Sequence, residues 1–433
     1  MADANTANDA LRDEVRAWLA DNWKGLPKPK PGPGGAGWTV SAEHKAWLAK
    51  VVAAGWAVPR WPAEWHGRGP HGWLAKVVEG RWAVPRWPAV WMGRDLDDEH
   101  ARIVESEFAA VGAPGAGQDR TNLWANTLLA RGTDALKEKL VLPLLRGEVG
   151  MCLLYSEPGA GSDLASVRTR ADRQGDHFRV NGQKVWTSFA ATADYGMLIA
   201  RTDWDAPKHK EIGFFFLPMK QPGVQVRPLR QITGESQFNE VFLTDAVCPQ
   251  ENLLGEATDG WGVLQTALAY ERSAMGEAAR GPRRGMGQSA PADDPLIALA
   301  REAGAMEDPV LRQEIAKVVI LKRLNTLNAT RAKADMRQGT SSSLMSLGKL
   351  AMSRILHEEA RVRTLILGAE SLLDGPDHPR ADDTNFLTLN AYFTSIGGGT
   401  DQIQRNIIGE RVLGLPKEPE IDRDVPFRAV RTS

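Results

Sequence analysis

The chain has 433 residues, 42% apolar and 25% charged, which is the make-up of a globular protein large enough for two or three cores. A formal net charge of −1 excludes recruitment of nucleic acid or an anionic membrane by a global field, so any phosphate-bearing ligand must be held by local groups. Two cysteines, Cys152 and Cys248, exclude a disulfide framework. With a polar, acidic start (MADANTANDALRDEV) and no apolar run of membrane-span length, the expected location is cytoplasmic.

From Asp9 to Trp23, Leu11, Val15, Trp18 and Leu19 recur at helical spacing. A Pro/Gly stretch, Leu26 to Gly37, ends that pattern and reads as a linker; its formal GxGxxG (Gly32, Gly34, Gly37) has no preceding strand and contains Pro33. A tandem repeat follows: WLAKVVAAGWAVPRWPAEWHG at 47–67 recurs as WLAKVVEGRWAVPRWPAVWMG at 73–93. Eight of the 15 Trp lie in the two copies, and two copies are too few for a solenoid. The preferred reading is a duplication accommodated as an extra helical excursion; the alternative is an added aromatic surface for a partner or an acyl chain. Helical periodicity resumes over Asp97–Val111 and Asn122–Leu145, closing an N-terminal helical domain at 1–150.

From 151 to 255 the texture changes to alternating segments (HFRVNGQKVW, YGMLIART, IGFFFLPM, VQVRPLRQI) separated by Gly, Pro and Asp. This predicts a β-barrel or sandwich domain. Residues 256–433 are helical again, apart from a Gly/Pro/Arg-rich break at Ala279–Pro295. The expected architecture is α+β and multi-domain: helices, a middle β domain, then a four-helix bundle.

Two stretches in the β region stand out. YSEPGAGSD, from Tyr155 to Asp163, packs Pro, two Gly and small polar side chains into a turn where backbone N–H groups can face a ligand. VNGQKVWTS, from Val180 to Ser188, reads as a hairpin strand with Asn181-Gly182 as its turn and Trp186 beside hydroxyl residues. In this order the pair resembles the flavin-binding middle domain of the acyl-CoA dehydrogenases. GGGTDQIQRNIIGERVLGLP, from Gly397 to Pro416, resembles that family's C-terminal signature.

The resemblance implies FAD as cofactor. Tyr155, Ser156, Gly161, Ser162, Trp186, Thr187, Ser188, Thr400 and Gln402 fall at cofactor-binding positions, with Ser162 also at the acyl-CoA. It further implies an acyl-CoA substrate, an electron-transfer flavoprotein as partner, and a homo- or hetero-oligomer, dimer or tetramer. The layout of three domains agrees with the family's.

Two departures qualify it. The position commonly held by the catalytic Glu is Gly398, in a run of three glycines, where no side chain can take a proton. The Arg-x-x-Phe-Gly that reaches the FAD pyrophosphate in many members is missing; Arg280, Arg283 and Arg284 in its place could meet a pyrophosphate or be simply solvated. A substitute base is visible on physical grounds. Along WGVLQTALAYERSAM, Leu264, Leu268, Glu271 and Met275 share one helical stripe, so Glu271 lies on the apolar face. A carboxylate there should have its pKa pushed upward, as a base for a weak C–H acid requires. Glu271-Arg272 also matches the arrangement of branched-chain and sterol-type members, in the manner of the atypical actinobacterial branch. Arg272 is assigned to substrate binding. The alternative for Glu271 is a structural carboxylate bonded to a neighbouring Arg.

The eight His show no ligand spacing, so no metal is expected, nor a nucleic-acid or membrane partner. The resulting expectation is FAD-dependent α,β-dehydrogenation of an acyl-CoA. The alternatives are a non-catalytic or half-site partner subunit of a hetero-oligomeric dehydrogenase, and a flavin-dependent monooxygenase-like relative.

Overall fold

The computed structural model describes residues 2–23, 71–113, 115–278, 294–337, 344–375, 377–419 and 422–430. Among the described residues the N-terminal helices are α1 (Ala2–Asn22), α2 (His71–Glu79), α3 (Asp98–Ala110), α4 (Gln118–Thr121), α5 (Leu123–Arg131) and α6 (Asp134–Leu145). Their boundaries follow from capping. The Asp97 carboxylate accepts the His100 N–H at 2.9 Å and starts α3. The single helical region expected over Asn122–Leu145 is two helices, because the Asn122 and Thr133 side chains each cap a new one, on the Ala125 and Leu136 N–H groups. The second copy of the tandem repeat is core rather than surface. Trp82 is 1% exposed, meets Trp18 of α1 edge-on at 6.4 Å and lies under the Arg94 guanidinium at 3.3 Å. The first copy, 47–67, lies outside the described residues, as do the linker at 26–37 and the arginines at 280–284.

Seven strands form one curled sheet: β1 (Met151–Leu154), β2 (Arg170–Gln174), β3 (His177–Ser188), β4 (Tyr195–Arg201), β5 (Ile212–Pro218), β6 (Val224–Leu229) and β7 (Phe238–Pro249). Their order is β1-β4-β2-β3-β7-β6, with β5 on β4. Strand alternation divides the side chains between two cores. Leu198, Ala200, Phe215 and Leu217 fill the inside of the curl, with Phe178, Val180 and Leu243. Met197, Ile199, Phe214 and Phe216 face outward and are covered by helices.

One local expectation is corrected. Asn181-Gly182 is not a turn: β3 runs through it, with a register shift against β7 between Val180 and Gly182. The glycine is needed for close approach, since a Cβ there would sit 2.4 Å from Thr169 Oγ1. The hairpin turn is Gly175-Asp176, between the paired Gln174 and His177.

The C-terminal part holds α7 (Gly260–Ala278), α8 (Pro295–Glu302), α9 (Pro309–Arg337), α10 (Leu344–Leu367), α11 (Pro379–Ile396) and α12 (Asp401–Ile407). Leu296, Leu299, Ile315, Val318, Val362 and Ile366 of α8–α10 make a core of their own. Helix α7 stands apart: Val263, Leu264 and Ala267, all fully buried, join the outer face of the sheet and the N-terminal helices. Among the described residues no helix is long and apolar enough to cross a membrane.

Candidate active site

The two β-region motifs are bonded to each other. The Val185 N–H donates to the Ser156 carbonyl at 2.9 Å, and Lys184 Nζ donates to the Tyr155 carbonyl at 3.0 Å and to Glu157 Oε1 at 2.8 Å. Glu157 also accepts the Arg168 and Thr169 N–H groups at 2.6 and 2.9 Å. Burial works to raise the Glu157 carboxyl, but Lys184 and these donors hold it below its ordinary value. The buried pair was not singled out from the sequence. Its signal was a charged residue among the inward-facing positions of a strand.

The same strand presents Trp186. A second register shift between Lys184 and Thr187 puts Trp186 at φ +62°, a left-handed conformation unusual for an aromatic residue, and leaves its indole 59% exposed. Thr187 returns to the interior at 0% exposure, with its hydroxyl unpartnered among the described residues. Its side chain therefore lies away from the Trp186 face, and a role at the cofactor is left to its backbone. Ser188 and Ser156 are half-buried, and Gly161 and Ser162 are exposed. Tyr155 is buried and donates to Met197 Sδ at 3.5 Å.

Helix α7 brings Glu271 to this place. Leu264 and Ala267 are buried and Leu268 packs on the same core, while Gln265 is exposed, as the predicted stripe requires. Glu271 is half-buried at the end of that stripe. Tyr155 is raised well above its ordinary value, first by burial and then by the charge of Glu271. The carboxylate thus stands near the residue that precedes Ser156. The side chains of Arg272 and Met275 lie outside the described residues.

An aromatic series joins the Trp186 face to the C-terminal signature. Trp186 meets Phe238 edge-on at 6.0 Å, and Phe238 meets Phe393 of α11 at 5.6 Å. Four residues later the chain enters the glycine run, where Gly398 and Gly399 adopt φ +65° and +88°. Thr400 caps α12, its hydroxyl accepting the Ile403 N–H at 3.2 Å, and Gln402 is exposed. Tyr155 is therefore linked to Glu271 by charge, and Tyr155 and Ser156 to the strand that presents Trp186 through Lys184 and Val185. Gly161 and Ser162 share the Tyr155–Asp163 turn, and Thr400 and Gln402 lie seven and nine residues beyond Phe393.

These residues fit FAD. An exposed indole held at a strained bulge offers an apolar wall for a planar ring. A Cβ built at Gly159 or Gly161 would meet nothing within 4 Å, so the turn beside it has room for a ligand. The hydroxyls of Ser156 and Ser188 and the Gln402 amide supply donors for its polar edges. Among the described residues no group of His, Cys, Asp and Glu could hold a metal.

Residues 152–246 match the family description "Acyl-CoA dehydrogenase, middle domain", and residues 258–413 match "Acyl-CoA dehydrogenase, C-terminal domain". The chain is 34% identical to the acyl-CoA dehydrogenase IpdE1 of Mycobacterium tuberculosis, over 95% of this chain and 98% of that one. Two solved structures share its fold, each at 24% identity and covering 95% of this chain and 98% of their own. They are the Tcur3481-Tcur3483 steroid ACAD, with a TM-score of 0.64, and the ChsE4-ChsE5 complex from Mycobacterium tuberculosis, with 0.62.

Proposed function

The chain belongs to the acyl-CoA dehydrogenase family of FAD-dependent flavoproteins, and from that premise we propose that it desaturates an acyl-CoA thioester between Cα and Cβ with Glu271 as the base. The observation that carries this assignment is the half-buried Glu271 whose charge reaches Tyr155, one residue from Ser156, while Gly398 offers no side chain at the commoner position.

Bound FAD supplies the acceptor for a hydride. The rest falls to the chain. Glu271 takes the α-proton onto a carboxylate oxygen, and the electron pair it frees forms the Cα=Cβ bond as the β-hydrogen departs with its own pair. Ser156 donates a hydrogen bond where negative charge develops, and Trp186 keeps water from the reacting carbons. Buried Tyr155 stays protonated. Thr400 and Gln402 would help hold the cofactor, and Ser162 and Arg272 would contact the thioester ligand. The electrons leave to an electron-transfer flavoprotein. A bulky ring-bearing acyl group is the favoured substrate class: one relative by fold is named a steroid ACAD, and Gly398 frees the volume of a Glu side chain.

Glu271→Gln should cut turnover by about 100- to 10,000-fold while leaving flavin absorbance unchanged; activity near that of the parent would remove Glu271 from this role. A second reading, a half-site subunit that shares its flavin with a sister chain, draws support from the glycine run and the missing Arg-x-x-Phe-Gly. A chain that purifies colourless and gains flavin with a sister chain would favour it.

A further inference from the structure

Arg201, at the end of β4, is fully buried and bonds to backbone rather than to an acid. Its Nη2 donates to the Ala165 and Lys208 carbonyls at 2.7 and 3.1 Å, its Nη1 to Lys210 at 3.3 Å and its Nε to Val167 at 3.4 Å. One guanidinium thereby fastens two loops: 164–167, which leaves the Gly161–Asp163 turn, and 208–210. A second tie runs between them, from Lys208 Nζ to Asp163 Oδ2 at 2.5 Å.

This junction is closed by the other end of the chain. Phe427 is 1% exposed, with its ring 3.6 Å from the Arg201 guanidinium carbon and edge-on to Trp204 at 5.3 Å. The Phe427 and Arg428 N–H groups donate to the Ala206 and Trp204 carbonyls at 2.9 and 3.0 Å, and Asp422 stands 3.7 Å from Lys208 Nζ. A buried cation that hydrogen-bonds to carbonyls, with only the negative charge of Glu157 acting on it from a distance, is costly if water competes for it. The Phe427 ring offsets this by a cation–π contact and by sealing the site.

The geometry points to the segment Asp422–Val430 as a clasp on the ligand-binding turn, with Phe427 a positioning residue for acyl-CoA that acts through Arg201, Lys208 and Asp163 on Ser162. This rests on the reading of Ser162 as a substrate contact. The start of α7 meets loop 208–210 through Trp261 against His209 at 5.0 Å, and Val167 shares its core, but Glu271 lies ten residues further along that helix, so the clasp governs binding and not the proton transfer.

The test is hydrogen exchange on the full-length, FAD-loaded chain, comparing the parent with Phe427→Ala and Phe427→Tyr. Phe427→Ala should speed exchange about tenfold at amides 161–167 and 204–210 and leave α7 amides 266–271, beyond the Trp261 contact with His209, unchanged. It should raise KM for a flavin-bleaching acyl-CoA about fivefold with kcat within about twofold, and Phe427→Tyr should restore both. Unchanged exchange at 161–167, or equal acceleration in α7, overturns the clasp. Should Phe427→Ala not fold, Phe427→Leu keeps the apolar volume without the ring face and must show the same local acceleration, or the clasp fails. If no acyl-CoA bleaches the flavin, the dehydrogenase reading falls while the exchange pattern still decides the clasp.

Discussion

Lys184 and Glu157 show how a single pair can hold a site together. Each belongs to a different motif, and their ion pair is buried at 2.8 Å beneath Ser156 and Trp186. Removing the cation strands a buried carboxylate. Lys184→Met should therefore cost about 3–5 kcal/mol in urea unfolding at pH 7 and loosen flavin retention. A loss below about 1 kcal/mol would mean that water reaches the pair. The pH dependence has a definite sign. Glu157 lies below its ordinary 4.5 in the folded protein, so its contribution is complete above about pH 4.5 and is lost as pH falls through the folded value. Urea midpoints of the parent should drop on acidification from pH 5 to 3, and part of that drop should vanish in Glu157→Gln.

At the level of elements, the Trp-rich duplication and the strand β3 were legible to different degrees. The β texture, the helical stripe of α7 and both motifs could be read because each depends on local periodicity and spacing. Trp186's outward turn could not, since it comes from a register shift against β7, a strand more than fifty residues away in sequence. For the same reason Asn181-Gly182 imitates a turn yet serves a bulge. The tandem repeat was visible, but the burial of its second copy in the core was not. The second copy supplies Trp82, Val77, Val78 and Val84 to the core. Trp82→Ala should thus destabilise the chain by about 3–5 kcal/mol, measured by urea unfolding. Excising residues 47–72 leaves that copy intact, so the excised chain should keep its flavin and melt within a few degrees of the parent. Loss of flavin would instead give the first copy a role at the site.

The whole molecule leaves a broad apolar surface on its C-terminal helices. Ile320, Leu324 and Leu327 of α9, Tyr392, Phe393 and Ile396 of α11, and Leu413 and Leu415 beyond α12 are all exposed. Such a surface accounts for the proposed oligomer, and sedimentation should find the chain as a dimer or larger assembly, with itself or with a sister chain. A flavin-loaded monomer at micromolar concentration would argue against it. Tyr155 and the helix that carries Glu271 share one core of this chain, so their pairing needs no second subunit.

The central claim is that this chain carries both the flavin site and the base that uses it. Anaerobic titration of the purified protein with a panel of straight, branched and ring-bearing acyl-CoAs, following flavin absorbance, tests it most directly. The account predicts bleaching by at least one acyl-CoA in the parent, slowed about 100- to 10,000-fold in Glu271→Gln, with the flavin spectrum of the variant otherwise intact. Equal bleaching in Glu271→Gln, or a flavin-loaded parent that no acyl-CoA bleaches, would contradict it.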